Sequence, residues 1–487
     1  MWQRDENGAL MYDEKTGEKI FVGNNGQQYS PLGYVNARYP ANGYNLIQQL
    51  QDDKDQTIYN DLNMSGYVEA KFLKDFTFRA NIAVDETFAM RERYANKETG
   101  ASKSYGGTMG RNYSDYMNIN SQQLLTWAHD YGKHHVDALI GHEFNWNRSS
   151  SLNFKSAYSL INGFDTFANF LWLNGGDSPF SGGGGGEDQE ALEGYFARAN
   201  YNFDNKYYVT ASIRADGSSK FGSNNKWAFF PSGAFSWKMH EERFIRNLNV
   251  FDVLKIRASY GISGNQGISA YQTLSRYGQH KYFNGGKWVT AIGPGYQSGY
   301  TGQDGIYALW SGIPNKGLKW ETTAQVDLGL DMSFFGNRLN VTFDWYDKRT
   351  SDLLRERNIA PSSGYDKMWV NDGEIRNRGI ELTIDGVAFQ NRDWRVGGTF
   401  VFSRNRNKVL SLGNAVQTGL KTDLRTGMQY EYYGNQSEQF RAYTNILAVG
   451  QPMYVFYGYR TDGIVQSLAE GLSLIHISEP TRLQLIS

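Results

Sequence analysis

The 487-residue sequence contains no cysteine. That excludes a disulfide framework, a thiolate metal centre and a cysteine nucleophile. It leaves the compartment open, because an exported protein may also lack cysteine. Proline is scarce, at 9 residues, and no run of about eighteen apolar residues occurs, which excludes a bundle of membrane helices. A membrane β-barrel escapes that exclusion, since only every second residue of its strands faces lipid. Net charge is also nearly absent, at -1, so no global field points to nucleic acid or to an anionic surface. The first residues, MWQRDENGALMYDEKTGEKIF, lack the basic start and apolar core of a secretory signal. If the protein is exported, its true beginning is expected upstream of this chain.

What is abundant points to strands and turns. The chain holds 54 glycines and 33 tyrosines, and aromatics make up 15% of it. Leu62, Met64, Val68, Ala70 and Phe72 alternate with polar Asn63, Ser65, Glu69 and Lys71. After a tight turn at Lys74-Asp75, Phe76, Phe78, Ala80, Ile82 and Val84 alternate with Thr77, Arg79, Asn81 and Asp85. Roughly thirty polar residues then precede a second pair, near Ile119 to His129 and His134 to Trp146, joined at Asp130 to Lys133. A third pair, Tyr195 to Phe203 and Tyr207 to Asp216, turns at Asp204-Asn205. Further strands are predicted at Phe229 to Trp237, Leu254 to Tyr260, Trp320 to Met332, Leu339 to Trp345, Ile380 to Ile384 and Trp394 to Phe402. HEERFIRNLNVFDV, between the first two of these, reads as a short amphipathic helix.

The total is about twelve strands, several of ten residues or more. Soluble strands are usually about five or six residues long, whereas a tilted bilayer-crossing strand needs about nine to eleven. The connections also alternate between short and long, as they do in outer-membrane barrels. One face of each strand is apolar, with aromatics near strand ends (Phe76, Trp237, Trp320, Trp345) as an interfacial girdle requires. The other face is polar, as a wet lumen requires. Arg79, Arg198, Arg214 and Arg257 are therefore expected to face the lumen, and Phe78, Ala197, Ile213 and Ile256 the lipid. A soluble all-β protein with its apolar faces packed together is the competing reading.

Other motifs carry little. His129, His134, His135 and His142 lie close in sequence, but adjacent strand residues point to opposite faces, so His134 and His135 cannot share an ion there. The run Gly182 to Gly186 lacks the GK[ST] ending of a phosphate loop and reads as a flexible loop. Asp52, Asp53 and Asp55 lack the glycine of a calcium loop. No spaced acid/base pair of carboxylates stands out, so no catalytic residue and no cofactor is assigned. Phe170, Trp172, Tyr300 and Trp310 are loop aromatics that could stack on sugars or peptides, with loop-to-loop packing as the alternative.

Several strings resemble the SusC/RagA-type TonB-linked outer-membrane proteins. They are YFARANYNFDNKYYVTASIRADGSSKFGSNNKWAFFPSGAFSWKMHEERF (Tyr195 to Phe244), LKIRASYGISGNQGISAY (from Leu254), IPNKGLKWETTAQVDLGLDMSFFGNRLNVTFDWYDKRTSDLL (from Ile313), NDGEIRNRGIEL (from Asn371) and VGQPMYVFYGYRTDGIVQ (from Val449). The resemblance implies an all-β, antiparallel transmembrane β-barrel, here about twelve strands of a barrel of about 22, with its plug missing. It further implies import of oligosaccharides or peptides through the outer membrane of a Bacteroidota-type Gram-negative cell. A SusD-like surface lipoprotein would act as lid and the TonB complex as energy source, with no enzymatic step. Residues 1–56 then form an extracellular loop or early barrel region and residues 57–470 the partial barrel. Residues 471–487, GLSLIHISEPTRLQLIS, match nothing expected of the family and read as a non-native tail resembling translated adapter sequence. On this reading the chain is an internal piece of a larger importer. A passive porin, or a soluble all-β glycan-binding protein or enzyme, remains the alternative.

Overall fold

The structure is a computed structural model. It describes residues 11–12, 21–22, 28–29, 50–98, 102, 105–161, 163–171, 182–274, 277–294, 296–297, 310–311, 313–359, 367–413, 420–423, 426–436, 443–459 and 483–486. Twelve long strands carry it: β1 (Lys54–Phe72), β2 (Phe76–Ala95), β3 (Thr108–Tyr131), β4 (His134–Ser159), β5 (Gly182–Phe203), β6 (Tyr207–Ser218), β7 (Trp227–Lys238), β8 (Val253–Asn265), β9 (Glu321–Phe334), β10 (Leu339–Ser351), β11 (Glu374–Gln390) and β12 (Arg395–Ser411). Each neighbours the next in sequence, in one antiparallel up-and-down sheet. The path ends at β1 and β12. Among the described residues no strand pairs these two edges with each other.

The short connections form within a residue of where the sequence places them, and their central residues adopt a left-handed backbone. Leu73 and Lys74 sit at φ 47° and 63°, and Asp204 and Asn205 at 52° and 54°, which suits the twist of tight hairpins. The connection from β7 to β8 is a 3-10 turn, Met239–Glu241, followed by one α-helical turn, Arg243–Arg246, shorter than the predicted helix. The loop from β8 to β9 includes a hairpin of Tyr277–Asn284 with Lys287–Pro294. Lys421–Thr422, Gln429–Gln436, Tyr443–Ala448, Val455–Tyr459 and Leu483–Ile486 form a separate five-stranded sheet. Its last strand lies in the tail, where no alternation predicts one; backbone pairing needs none.

By packing, the chain divides into two compact units. One comprises Met1–Tyr67, Asn81–Ser121 and Asn145–Glu190; the other comprises Val68–Ala80, Gln122–Phe144 and Ala191–Ser487. The first is centred on buried Tyr94, Met109 and Phe170, with Tyr94 edge-on to Phe170 at 6.1 Å. The second is centred on Phe221, Phe230, Ile268, Leu318 and Trp320. Trp320 thereby departs from the girdle expectation: it is buried, and its indole N–H donates to the Lys226 carbonyl at 2.8 Å.

The glycine run is also corrected. Gly182 to Gly186 is not a loop but the start of β5. A Cβ on Gly185 would strike the Ser151 carbonyl, and one on Gly183 would crowd the Phe154 ring and the Asn153 carbonyl. Only a residue without a side chain permits this approach.

Candidate functional site: a polar sheet face and a charged cleft

Cross-strand partners share a face, and side chains alternate along each strand. In β5 and β6, Phe196 pairs with Arg214 and Arg198 with Ser212. Ser212 pairs with Ser232 of β7, and Ser236 with Arg257 of β8. Arg198, Arg214 and Arg257 therefore lie on one face. Continuing through Ser259, Asp327 and Tyr346, this face reaches Gly379 and Asn405 on β11 and β12.

The opposite face carries Ala197, Val209, Ile213, Phe235, Ile256, Leu328, Phe343 and Phe400 at the alternate positions. Its large side chains stay open in the isolated chain: Ile213 is 49% exposed and Phe400 57%. In water so wide an apolar surface is costly at roughly 25 cal/mol per Å², whereas a bilayer accommodates it.

The polar face is bonded internally. Arg214 donates through Nε to Asp216 at 2.7 Å and through Nη1 to Glu143 at 3.1 Å, with its guanidinium 5.1 Å from the Phe196 ring centre. Arg257 forks onto both oxygens of Asp331 at 2.9 Å and reaches Asp344 at 2.9 Å. Arg376 and Arg378 both donate to Asp347, but by register these three lie on the opposite face, in line with Phe343 and Leu382. Arg79 lies 4.0 Å from Glu69, and Arg198 is exposed.

Glycines seat several of these side chains. A Cβ on Gly194 would meet Arg214 and Asp216, one on Gly329 would meet Arg257 and Asp344, and one on Gly379 would meet the Tyr346 ring. A shallow groove of about 240 Å³ runs among Tyr208, Thr210, Ser236, Arg257, Ser259 and Asp327.

In the other unit the far ends of β1 to β4 surround a cavity of about 1050 Å³. Its lining includes Lys54, Asp55, Arg91, Arg93, Asn153 and Phe154. These positions lie beyond the roughly nine to eleven residues that a strand needs to cross a bilayer, counted from the tight turns. Arg91 and Arg93 share Asp55, and the hydrogen bond from Arg91 holds the Asp55 carboxyl below its ordinary range. Lys54 donates to Asp165 at 2.9 Å, which lowers the Asp165 carboxyl and raises the Lys54 ammonium.

Of the loop aromatics, Phe170 is buried against Tyr94, so its ring is occupied by packing. Trp172 and Tyr300 lie outside the described residues, as does the side chain of Trp310, whose backbone forms a two-residue strand with Ser311. The histidines have separate partners: His129 bonds Asp75, His134 bonds Tyr201, His135 bonds Asp130, and His142 bonds Gln123. Among the described residues no three potential ligands gather for a metal.

Reading the sequence missed the acidic partners Glu143, Asp216, Asp331, Asp344 and Asp347, and the whole Lys54–Arg93 cleft. Its only available signal was the recurrence of charge at Lys54, Asp55, Arg91 and Arg93 just outside the alternating runs.

A long-stranded antiparallel meander with one apolar exposed face and one ion-paired face is the wall of a transmembrane β-barrel, here partial. Residues 2–467 match the family model "TonB dependent receptor-like, beta-barrel", and the chain belongs to that family. It is 31% identical over 441 residues to TonB-dependent receptor P3 of Formosa agariphila, covering 88% of this chain and 41% of that relative. It is 32% identical over 232 residues to TonB-dependent receptor SusC of Bacteroides thetaiotaomicron, covering 46% of this chain and 21% of SusC. The fold is similar to a chain in the structure of the RagAB peptide transporter, with a TM-score of 0.72 at 23% identity, over 89% of this chain and 43% of that one. The chain thus spans about two fifths of P3. The family is one of outer-membrane receptors and transporters.

Proposed function

We propose that this chain is the central barrel wall of a SusC-type, TonB-dependent importer in a Bacteroidota-type outer membrane. It takes up oligosaccharides or peptides with a SusD-like surface lipoprotein as partner and the TonB complex as energy source, and it performs no chemistry on its cargo. The observation that carries this reading is the two-faced sheet: Ile213, Leu328 and Phe400 are exposed on one side, and paired Arg214 and Arg257 lie on the other. Arg79, Arg198, Arg214 and Arg257 line the lumen. Trp172, Tyr300 and Trp310 are proposed to contact cargo, whereas Phe170 serves packing. Curated relatives named as TonB-dependent receptors, and a neighbour described as a peptide transporter, support the assignment.

The test is uptake of fluorescent oligosaccharides and oligopeptides by cells carrying the full-length receptor, with and without TonB and a SusD-like surface lipoprotein. Uptake should require both. Uptake that persists without TonB would instead identify a passive porin.

A further inference from the structure

The cleft among the far ends of β1 to β4 carries more cations than anions. Lys54, Arg91, Arg93 and Lys155 line it, against Asp53 and Asp55. Asp53 is engaged by Asn96, whose backbone N–H donates to it at 2.8 Å and whose side-chain amide donates at 2.5 Å. Lys54 is turned to Asp165 at 2.9 Å and Glu92 at 3.6 Å. Asp55 alone serves two guanidiniums. Arg91 holds it with a fork of 2.8 and 2.6 Å, and Arg93 approaches through Nε at 3.1 Å. One carboxylate between two guanidiniums leaves a unit of positive charge, and the Arg93 side chain is 65% exposed. Bidentate geometry of this kind selects planar anions, and Asp55 occupies the position such an anion would take. The neutral polar part of the wall includes Ser102, Thr108, Asn112 and Asn153, hydroxyls and amides suited to a hydroxyl-rich chain.

We propose that this cleft binds an acidic oligosaccharide, with one uronate carboxylate competing with Asp55 for Arg91 and Arg93. This rests on the import reading above and narrows its cargo. No covalent step is involved. Asp55 keeps the arginines aligned when the cleft is empty, and a ligand carboxylate need only replace it. Because these groups are in contact with solvent, binding should weaken with salt.

The experiment uses the full-length receptor in detergent, titrated calorimetrically with tetragalacturonate, its fully methyl-esterified form and tetraglutamate. The proteins are wild type, the double variant Arg91→Gln/Arg93→Gln, and Asp55→Asn. Wild type should bind tetragalacturonate about ten- to a hundredfold tighter than the ester, the range expected for charge-assisted hydrogen bonds. The double variant should lose that preference, binding acid and ester about equally. Asp55→Asn, which removes the competitor, should bind the acid several-fold tighter. A folded band on unboiled gels confirms that each variant is intact.

Equal affinity for acid and ester, or an unchanged preference in the double variant, overturns the proposal. So does selective binding of tetraglutamate, which would make the cargo a peptide. Binding of none of the three also overturns it, and uptake of neutral oligosaccharides or peptides by the same receptor would then leave the import reading standing.

Discussion

Gly329 gives the sharpest test of how the polar face is built. It sits on β9 opposite Arg257, and an added Cβ would come within 2.5 Å of the Arg257 guanidinium carbon and 2.6 Å of an Asp344 oxygen. Gly329→Ala should therefore push the guanidinium off Asp331 and Asp344 and break three bonds of 2.9 Å. Losing charge-assisted bonds costs about 1.5–3 kcal/mol, while replacing a strand glycine returns about 0.5–1 kcal/mol. The Arg257 side chain is 36% exposed, so solvent screening favours the lower part of that range. The net cost is about 0.5–1.5 kcal/mol. Gly233→Ala is the control: its Cβ would meet only the Thr210 carbonyl at 3.8 Å, so it should be neutral or stabilising. The assay is the temperature at which the full-length receptor loses its folded band on unboiled gels, in parallel with urea unfolding in detergent. Equal stability of Gly329→Ala and Gly233→Ala would refute the idea that Gly329 seats the Arg257 fork.

Three further outcomes are expected. Ile213→Arg places a charge on the apolar face and should cost about 2–4 kcal/mol near mid-membrane, measured by refolding into vesicles; an effect below half a kcal/mol would put Ile213 on the wrong face. The Lys54–Asp165 link should be strongest between the ordinary carboxyl and ammonium ranges. The lowered Asp165 carboxyl contributes above its unfolded value and is lost as pH falls through its folded one, and the raised Lys54 ammonium is lost only in strong alkali. Amide-exchange protection around Phe164 to Asn169 should accordingly drop below about pH 4, and Lys54→Met should reproduce the drop at neutral pH; unchanged protection in that variant would contradict the link. Residues 1–487 produced alone should aggregate through the edges of β1 and β12, which no strand of the described residues covers along their length, and a monodisperse, conducting barrel in light scattering and planar bilayers would count against this.

The membrane-crossing parts of the strands were legible because lipid enforces alternation there. Val68, Ala70 and Phe72 on β1 and Val209, Ala211 and Ile213 on β6 read directly as one face. The turn at Asp204 and Asn205 was legible because Asp and Asn tolerate the positive φ that both adopt there. Strand ends were not. β2 runs on to Ala95 and β3 starts at Thr108, through Arg91, Glu92, Arg93 and Arg111, where both faces are polar and alternation vanishes. The glycine run failed for a related reason: a residue without a side chain cannot show which way it points. The polar-face bonds were hidden by distance along the chain. Arg257 reaches Asp331 and Asp344 across 74 and 87 residues, separations that only the strand register resolves. The charged cleft was illegible for both reasons, since Lys54 and Arg91 lie past the alternating runs and come together only when β1 and β2 are extended.

Facing is the claim on which the others depend, and one measurement reaches it directly. Single cysteines at Ala211, Ser212, Ile213 and Arg214 in the full-length receptor can be treated in intact outer membranes with a membrane-impermeant, water-soluble maleimide. The account predicts labelling at Ser212 and Arg214 and protection at Ala211 and Ile213, following the pairing of β5, β6 and β7. Labelling of Ile213 as fast as Arg214, or protection of all four, would contradict a wall with lipid on one side and a wet import route on the other.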